Sequence, residues 1–178
     1  MNAKEFGAEL CRKLHRKRKS IHLRGAANRT KILATILHGM THLKYRHHPY
    51  SYAKRKQILC DFMWLQWAKA PRTLRRLVLA AESEWEIKKQ SIIYDFQKLL
   101  FVKADFKVFF FKTIKNQGDG IGDRIREKMR DVLEAYSVKD EREHYFIVEI
   151  DLANKKAHVH HARFKSGAFK MSKLKCGD

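Results

Sequence analysis

Phe6, Leu10 and Leu14 recur at helical spacing, which predicts a helix over residues 2–19. Gly25 interrupts that pattern. Asn28 then caps a second predicted helix, Arg29 to about Leu43, with Ile32, Leu33, Ile36 and Leu37 on its apolar side. Lys44 to Ser51 has neither period and is expected to be a loop. Gln57 to Trp67 (QILCDFMWLQW) is rich in β-formers, with Asp61 as its one charge. Ala68 to Thr73 contains Pro71 and predicts a turn. The run Leu77-Val78-Leu79-Ala80-Ala81, with charge on both sides, predicts a short buried strand. A helix follows from Ile87 to about Val102, with Ile92, Ile93, Phe96, Leu99 and Leu100 on one face. Asp105 to Lys112 (DFKVFFFK) predicts another buried strand. The segment Asn116 to Gly122 is expected to be a flexible loop. Asp123 caps an amphipathic helix to about Tyr136, with Ile125, Met129, Val132 and Leu133 inward. Glu143 to Leu152 and Ala157 to Phe164 predict a hairpin across residues 153–156. Lys165 to Asp178 is basic and expected to be loose.

Strand, crossing helix and strand in succession imply parallel neighbours. The expectation is one α/β domain over residues 1–178, with a central mixed β-sheet flanked by helices. Its core spans about 57–112. Basic helices precede the core over 2–43, and a helix and hairpin follow it over 120–165. With 178 residues the chain is long enough for a sizeable core, and 44% hydrophobic residues argue against disorder. No apolar stretch approaches the ~18 residues of a membrane span. The first residues, MNAKEFGAELCRK, lack a signal peptide's apolar core. Cys11, Cys60 and Cys176 are scattered, odd in number and in no CxxC pair, which fits a reducing compartment. The expectation is a cytoplasmic protein with no membrane partner.

Charge changes this picture most. Lys plus Arg number 39 against 19 Asp plus Glu, a formal net charge of +20. Such a field attracts polyanions, and counterion release drives binding to phosphate backbones. The densest run is Arg16-Lys17-Arg18-Lys19 at the end of the first helix; Arg72, Arg75 and Arg76 flank the turn before the Leu77–Ala81 run. These seven are the expected nucleic-acid contacts, with DNA as partner and RNA as the alternative.

Against that background Glu82 and Glu84 stand out. Side chains two apart on a strand share a face, roughly 7 Å apart. Carboxylates near a core cost free energy unless paired or bound to a cation. The midpoint between Asp61 and Glu82 falls inside the 68–73 turn. An unbulged antiparallel hairpin about that point sets Asp61 opposite Glu82, with Cβ atoms about 5 Å apart. Phosphodiester hydrolysis needs charge neutralisation and a hydroxide near neutral pH, and a divalent ion supplies both. Magnesium takes one or two carboxylates and keeps its waters.

Asp61, followed on the next predicted strand by Glu82-Ser83-Glu84, then a helix and another strand, resembles the PD-(D/E)xK nuclease superfamily over about Gln57 to Lys112. That family, which includes many type II restriction endonucleases, places an acid on one strand and (D/E)xK on the next. The resemblance implies a restriction endonuclease-like core and Mg²⁺-dependent cleavage of DNA, with Mn²⁺ able to substitute. It implies Asp61 and Glu82 as metal ligands and Glu84 as ligand or base, and it allows a homodimer that cuts both strands. Glu84 stands where the family has Lys, as in its ExE variants, so Lys88, Lys98 or Lys107 is expected to supply the amine; Lys98 joins Asp61, Glu82 and Glu84 as a catalytic candidate.

Other assignments compete. Asp95 with Asp105-Phe106-Lys107 keeps the lysine but takes its first acid from a helical pattern. Glu82 and Glu84 pairing with Arg72, Arg75 or Arg76 needs no metal. His38 with His42, and His158 with His160, have metal-ligand spacing without a completing Cys or acid. Trp64, Trp67 and Trp85 serve either base stacking or the core. A non-catalytic nucleic-acid-binding module and a basic structural RNA-binding protein are the alternative functions.

Overall fold

The computed structural model describes residues 2–23, 25–40, 48–51, 60–67, 73–114, 120–136 and 139–176. Their elements follow in the order α1 (Ala3–Leu23), α2 (Ala26–His38), β1 (His48–Ser51), β2 (Phe62–Trp67), β3 (Leu74–Glu84), α3 (Lys89–Lys98), a 3-10 turn (Leu99–Phe101), β4 (Ala104–Thr113), α4 (Ile121–Ala135), β5 (His144–Asp151), β6 (Lys156–Lys165) and β7 (Ala168–Lys173). Among the described residues the strands form one mixed sheet in the order β1-β2-β3-β4-β5-β6-β7. β1, β2 and β3 form an antiparallel meander; β3, β4 and β5 are parallel; β6 and β7 return antiparallel.

Period-two alternation builds the three layers. On β4, Phe106, Val108 and Phe110 pack beneath α1 and α2, with Phe6, Leu10, Leu14, Leu33 and Leu37. Phe109 and Phe111 point the other way, against Ile92 and Phe96 of α3 and Ile125, Met129 and Leu133 of α4. Both faces are covered, which is why the strand is an unbroken apolar run. The crossovers α3 and α4 cover one face, and α1 with α2 covers the other.

α1 runs in the direction of β3, β4 and β5. Its first residues, Asn2 and Ala3, lie with Arg76 and Asp105 at the edge where those strands begin. Its last turn lies where they end: Ile21 O accepts from Arg29 Nε at 3.0 Å, and His22 feels the charges of Asp151 and Lys155.

Several expectations are corrected. The 44–51 loop contains β1, and the C-terminal stretch contains β7. The second helix begins at Ala26 with Gly25 as N-cap, ahead of Asn28. The α3 helix ends at Lys98 and tightens into the 3-10 turn. Cys11 and Cys176, 165 residues apart, form a disulfide that ties α1 to the segment after β7; Cys60 is free and buried. This pairing removes the cysteine argument for a reducing compartment. Among the described residues no helix is long and apolar enough to cross a membrane.

Candidate functional site

The β2–β3 register runs Phe62↔Ala81, Met63↔Ala80, Trp64↔Leu79. The ladder ends at Phe62↔Ala81: Asp61, which immediately precedes β2, is in a bend, and Cys60 and Phe62 fall on opposite faces of the sheet, so the alternation that the expected Asp61–Glu82 pair requires is broken there. The unbulged hairpin of the sequence expectation is corrected by two irregularities, between Trp64 and Leu65 and between Gln66 and Trp67, where β3 carries the extra residues. The innermost pair, Trp67↔Leu74, centres the turn one residue earlier than the unbulged hairpin requires.

Asp61 is tied to the tripeptide by its middle residue. Its Oδ2 accepts from the Ser83 backbone N–H at 3.0 Å and from Ser83 Oγ at 2.6 Å. The Ser83 hydroxyl also meets Thr30 Oγ1 of α2 at 3.0 Å, and that oxygen accepts from Trp85 Nε1 at 2.8 Å. Thr30, Asp61, Glu82 and Ser83 line a crevice of about 10 Å³, room for about one water molecule.

Glu82 and Glu84 face α3. Glu82 is 6% exposed, and Lys98 Nζ lies 4.0 Å from its Oε1. Lys98 also pairs with Asp95, one helical turn back on α3. Burial, then the charge of Asp61, push the Glu82 carboxyl up to about 8, and Lys98 opposes them. Partial burial and the hydrogen bond with Asp95 hold Glu84 above the usual carboxylate range. Burial works against the Lys98 ammonium, but Asp95 and Glu82 outweigh it and raise its pKa. Outside lies an open hollow of about 440 Å³, lined by Glu84, Glu86, Gln90, Ser91, Tyr94 and Asp95.

Glu82, Glu84 and Lys98 thus gather on the α3 side at the carboxyl end of β3, where ligands bind in open α/β sheets; Asp61 is near enough for its charge to act on Glu82, but its carboxylate is held by Ser83, whose hydroxyl faces α2. Asp95 joins them from α3. In the sequence it figures only as the first acid of the rival assignment, and its i, i+3 spacing to Lys98 is the available signal. The rival assignment is not assembled: Asp95 faces Glu84 at the end of β3, whereas Asp105 pairs with Arg76 at the start of β4. Lys107 is 1% exposed and donates to Glu143 at 2.7 Å and Tyr145 at 3.1 Å, away from Glu82.

The expected nucleic-acid contacts divide. Arg16, Lys17, Arg18 and Lys19 are exposed on the last turns of α1, at the same edge as the acids. Arg75 and Arg76 are exposed at the start of β3, roughly 20 Å from Glu82 along the strand. Arg76 is engaged there with Gln66 and Asp105. Neither pairs with Glu82 or Glu84. Arg72, Trp67's side chain and His42 lie outside the described residues. Trp64 and Trp85 are buried in the core, with Arg29 5.5 Å over the Trp85 ring, so neither is a stacking platform. Among the described residues no three His, Cys, Asp or Glu side chains are grouped to hold a metal ion by themselves.

The chain matches no protein-family model, no curated protein and no solved structure.

Proposed function

We propose that the chain is a magnesium-dependent endonuclease that hydrolyses DNA on a restriction endonuclease-like core. The observation that carries this is the buried Glu82 at the carboxyl end of β3, with Lys98 brought to it from the following helix and the charge of Asp61 acting on it from beside β2. The meander β1-β2-β3, the crossover α3 and the parallel strand β4 also follow the order of acids and elements in the PD-(D/E)xK core.

The donor set fits the ion. Asp61, Glu82, Glu84 and Asp95 bring four carboxyl groups to the neighbourhood of one ammonium; burial first, and neighbouring acids second, raise Glu82 and Glu84. Hard oxygen donors on a site short of positive charge are what magnesium takes, with two carboxylates, waters and a substrate phosphate completing its shell. Asp61 and Glu82 would hold it. When bound, the ion neutralises the phosphate and lowers the pKa of a water.

The protein's own residues do the rest. Ser83 fixes the Asp61 carboxylate against the sheet. Glu84, with a raised pKa, takes the proton from the attacking water. Lys98 takes the place of the family's strand lysine and steadies charge developing on the phosphate. The exposed cations of α1 hold the DNA backbone beside an edge that would otherwise repel it.

The test is incubation with plasmid DNA in Mg²⁺. Cleavage that Glu82→Ala abolishes while DNA retention persists supports the proposal; retention with intact plasmid in both Mg²⁺ and Mn²⁺ overturns it. That outcome selects the non-catalytic binding module, which the lack of a three-ligand group among the described residues favours.

A further inference from the structure

Three walls enclose a groove of about 710 Å³ on the α1 side of the sheet: the middle of α1, the start of β6 and the segment after β7. Its rim carries Arg18, Lys155, Lys156, Lys173 and Lys175, and no carboxylate lines it. All five side chains are exposed, and none is in an ion pair among the described residues. The walls are fixed. Leu174 donates to Val159 O at 2.8 Å, which holds the last segment on β6, and the Cys11–Cys176 disulfide fastens it to α1.

Five like charges around one concavity repel each other; among the described residues Asp151 stands opposite Lys156 across the β5–β6 pair, but its carboxylate bonds Asn154. An isolated surface lysine needs no explanation, but five converging from three elements form a standing field for an anion. Their spread along a groove suits a row of phosphates better than a single one. The position suits it too. Lys155 and Lys156 stand where β6 begins, at the edge where β3 ends. From β3 to β6 is three strand spacings, about 14 Å within the sheet, with the groove on the α1 side and Glu82 and Lys98 on the α3 side.

We propose that this groove binds the phosphodiester backbone of the nucleic acid, with Arg18, Lys155, Lys156, Lys173 and Lys175 as the phosphate contacts. The proposal rests on nucleic acid being the substrate. It replaces Arg75 and Arg76, which stand at the far edge.

The experiment measures binding to a short duplex by fluorescence anisotropy without divalent ions, between about 50 and about 200 mM salt. A variant with Lys155, Lys156, Lys173 and Lys175 all changed to Gln is compared with one in which the exposed Lys103, Lys128, Lys165 and Lys170 are changed to Gln. Each loses the same charge, and circular dichroism verifies that both are folded. The groove variant is expected to lose about 3 to 4 from the log–log salt slope, at roughly 0.9 per phosphate contact, and more than about 100-fold in affinity near 100 mM salt. The control is expected to lose less than about 1 from the slope. Equal losses in the two variants, or an unchanged slope in the groove variant, overturn the proposal. So does a groove variant that loses only its adhesion to anionic lipid vesicles. These readouts need no cleavage, so intact plasmid in Mg²⁺ sinks the nuclease proposal and leaves this one standing.

Discussion

Ser83 donates both its backbone N–H and its hydroxyl to one oxygen of Asp61, at 3.0 and 2.6 Å. The middle residue of Glu82-Ser83-Glu84 thus orients the acid that immediately precedes the neighbouring strand. Hydrogen bonds to a charged group contribute about 1.5–3 kcal/mol. Ser83→Ala is expected to lower the unfolding free energy by about 1–3 kcal/mol in urea titrations and to cut cleavage about tenfold or more, with DNA binding unchanged. Unaltered cleavage by a folded Ser83→Ala protein would remove Asp61 from the mechanism.

Glu82 makes stability depend on pH. Its carboxyl titrates at about 8 in the folded chain against an ordinary 4.5. Between these values the folded state holds the proton more tightly, so stability falls as pH rises from about 4.5 to about 8, by at most about 1.4 kcal/mol per pH unit. Glu82→Gln is expected to flatten this slope in thermal melts. Mg²⁺ needs the ionised carboxylate, so the ion is expected to raise Tm near pH 8 and hardly at all near pH 5. An equal shift at both would place the ion elsewhere.

Lys98 and Lys107 separate chemistry from stability. Lys98→Met is expected to reduce the cleavage rate about 10²–10³-fold, the loss typical of a charge-stabilising donor, with partial recovery in Lys98→Arg. Removing Glu143 instead leaves the buried Lys107 without its carboxylate, and Glu143→Leu is expected to cost about 3–5 kcal/mol in chemical denaturation. Pairing it with Lys107→Met is expected to restore most of that stability. Similar rate losses for the Lys98 and Lys107 variants would contradict the assignment of the amine.

The Cys11–Cys176 bridge closes a loop of 165 residues. Changing both cysteines to Ser is expected to lower stability by about 2–4 kcal/mol and to weaken DNA binding, because the last segment is then free to leave the groove. Calorimetry and anisotropy with and without reductant measure the two effects. Cys60, whose thiol burial pushes up to about 12, is expected to resist alkylation in the folded protein.

Elements with strong periodicity were legible from residues alone. The apolar run of β4, the inward stripe of α4 and the β5–β6 hairpin lie close to where the pattern put them. Two edge strands were not. β7 buries little besides Phe169 and alternates with lysines, so it looks like a polar tail. β1 is four residues long and contains Pro49, which is tolerated at a sheet edge. At the site, the β2–β3 hairpin was legible because alternation and antiparallel pairing are local rules, but the bend at Asp61 and its bonds to Ser83 were not. Asp95 was hard to assign because its role depends on how α3 packs over β3. The groove lysines come from segments of distant sequence, and no spacing rule connects Lys155 with Lys173.

Because α1 travels with the parallel strands, the molecule has a front and a back. Asn2 sits behind, among Arg76 and Asp105, while Cys176 opens at the front beside Lys155. A bulky label attached at Asn2 lies at the edge where β3, β4 and β5 begin, away from Glu82. The same label attached at Lys175 fills the basic groove beside Lys155 and Lys173.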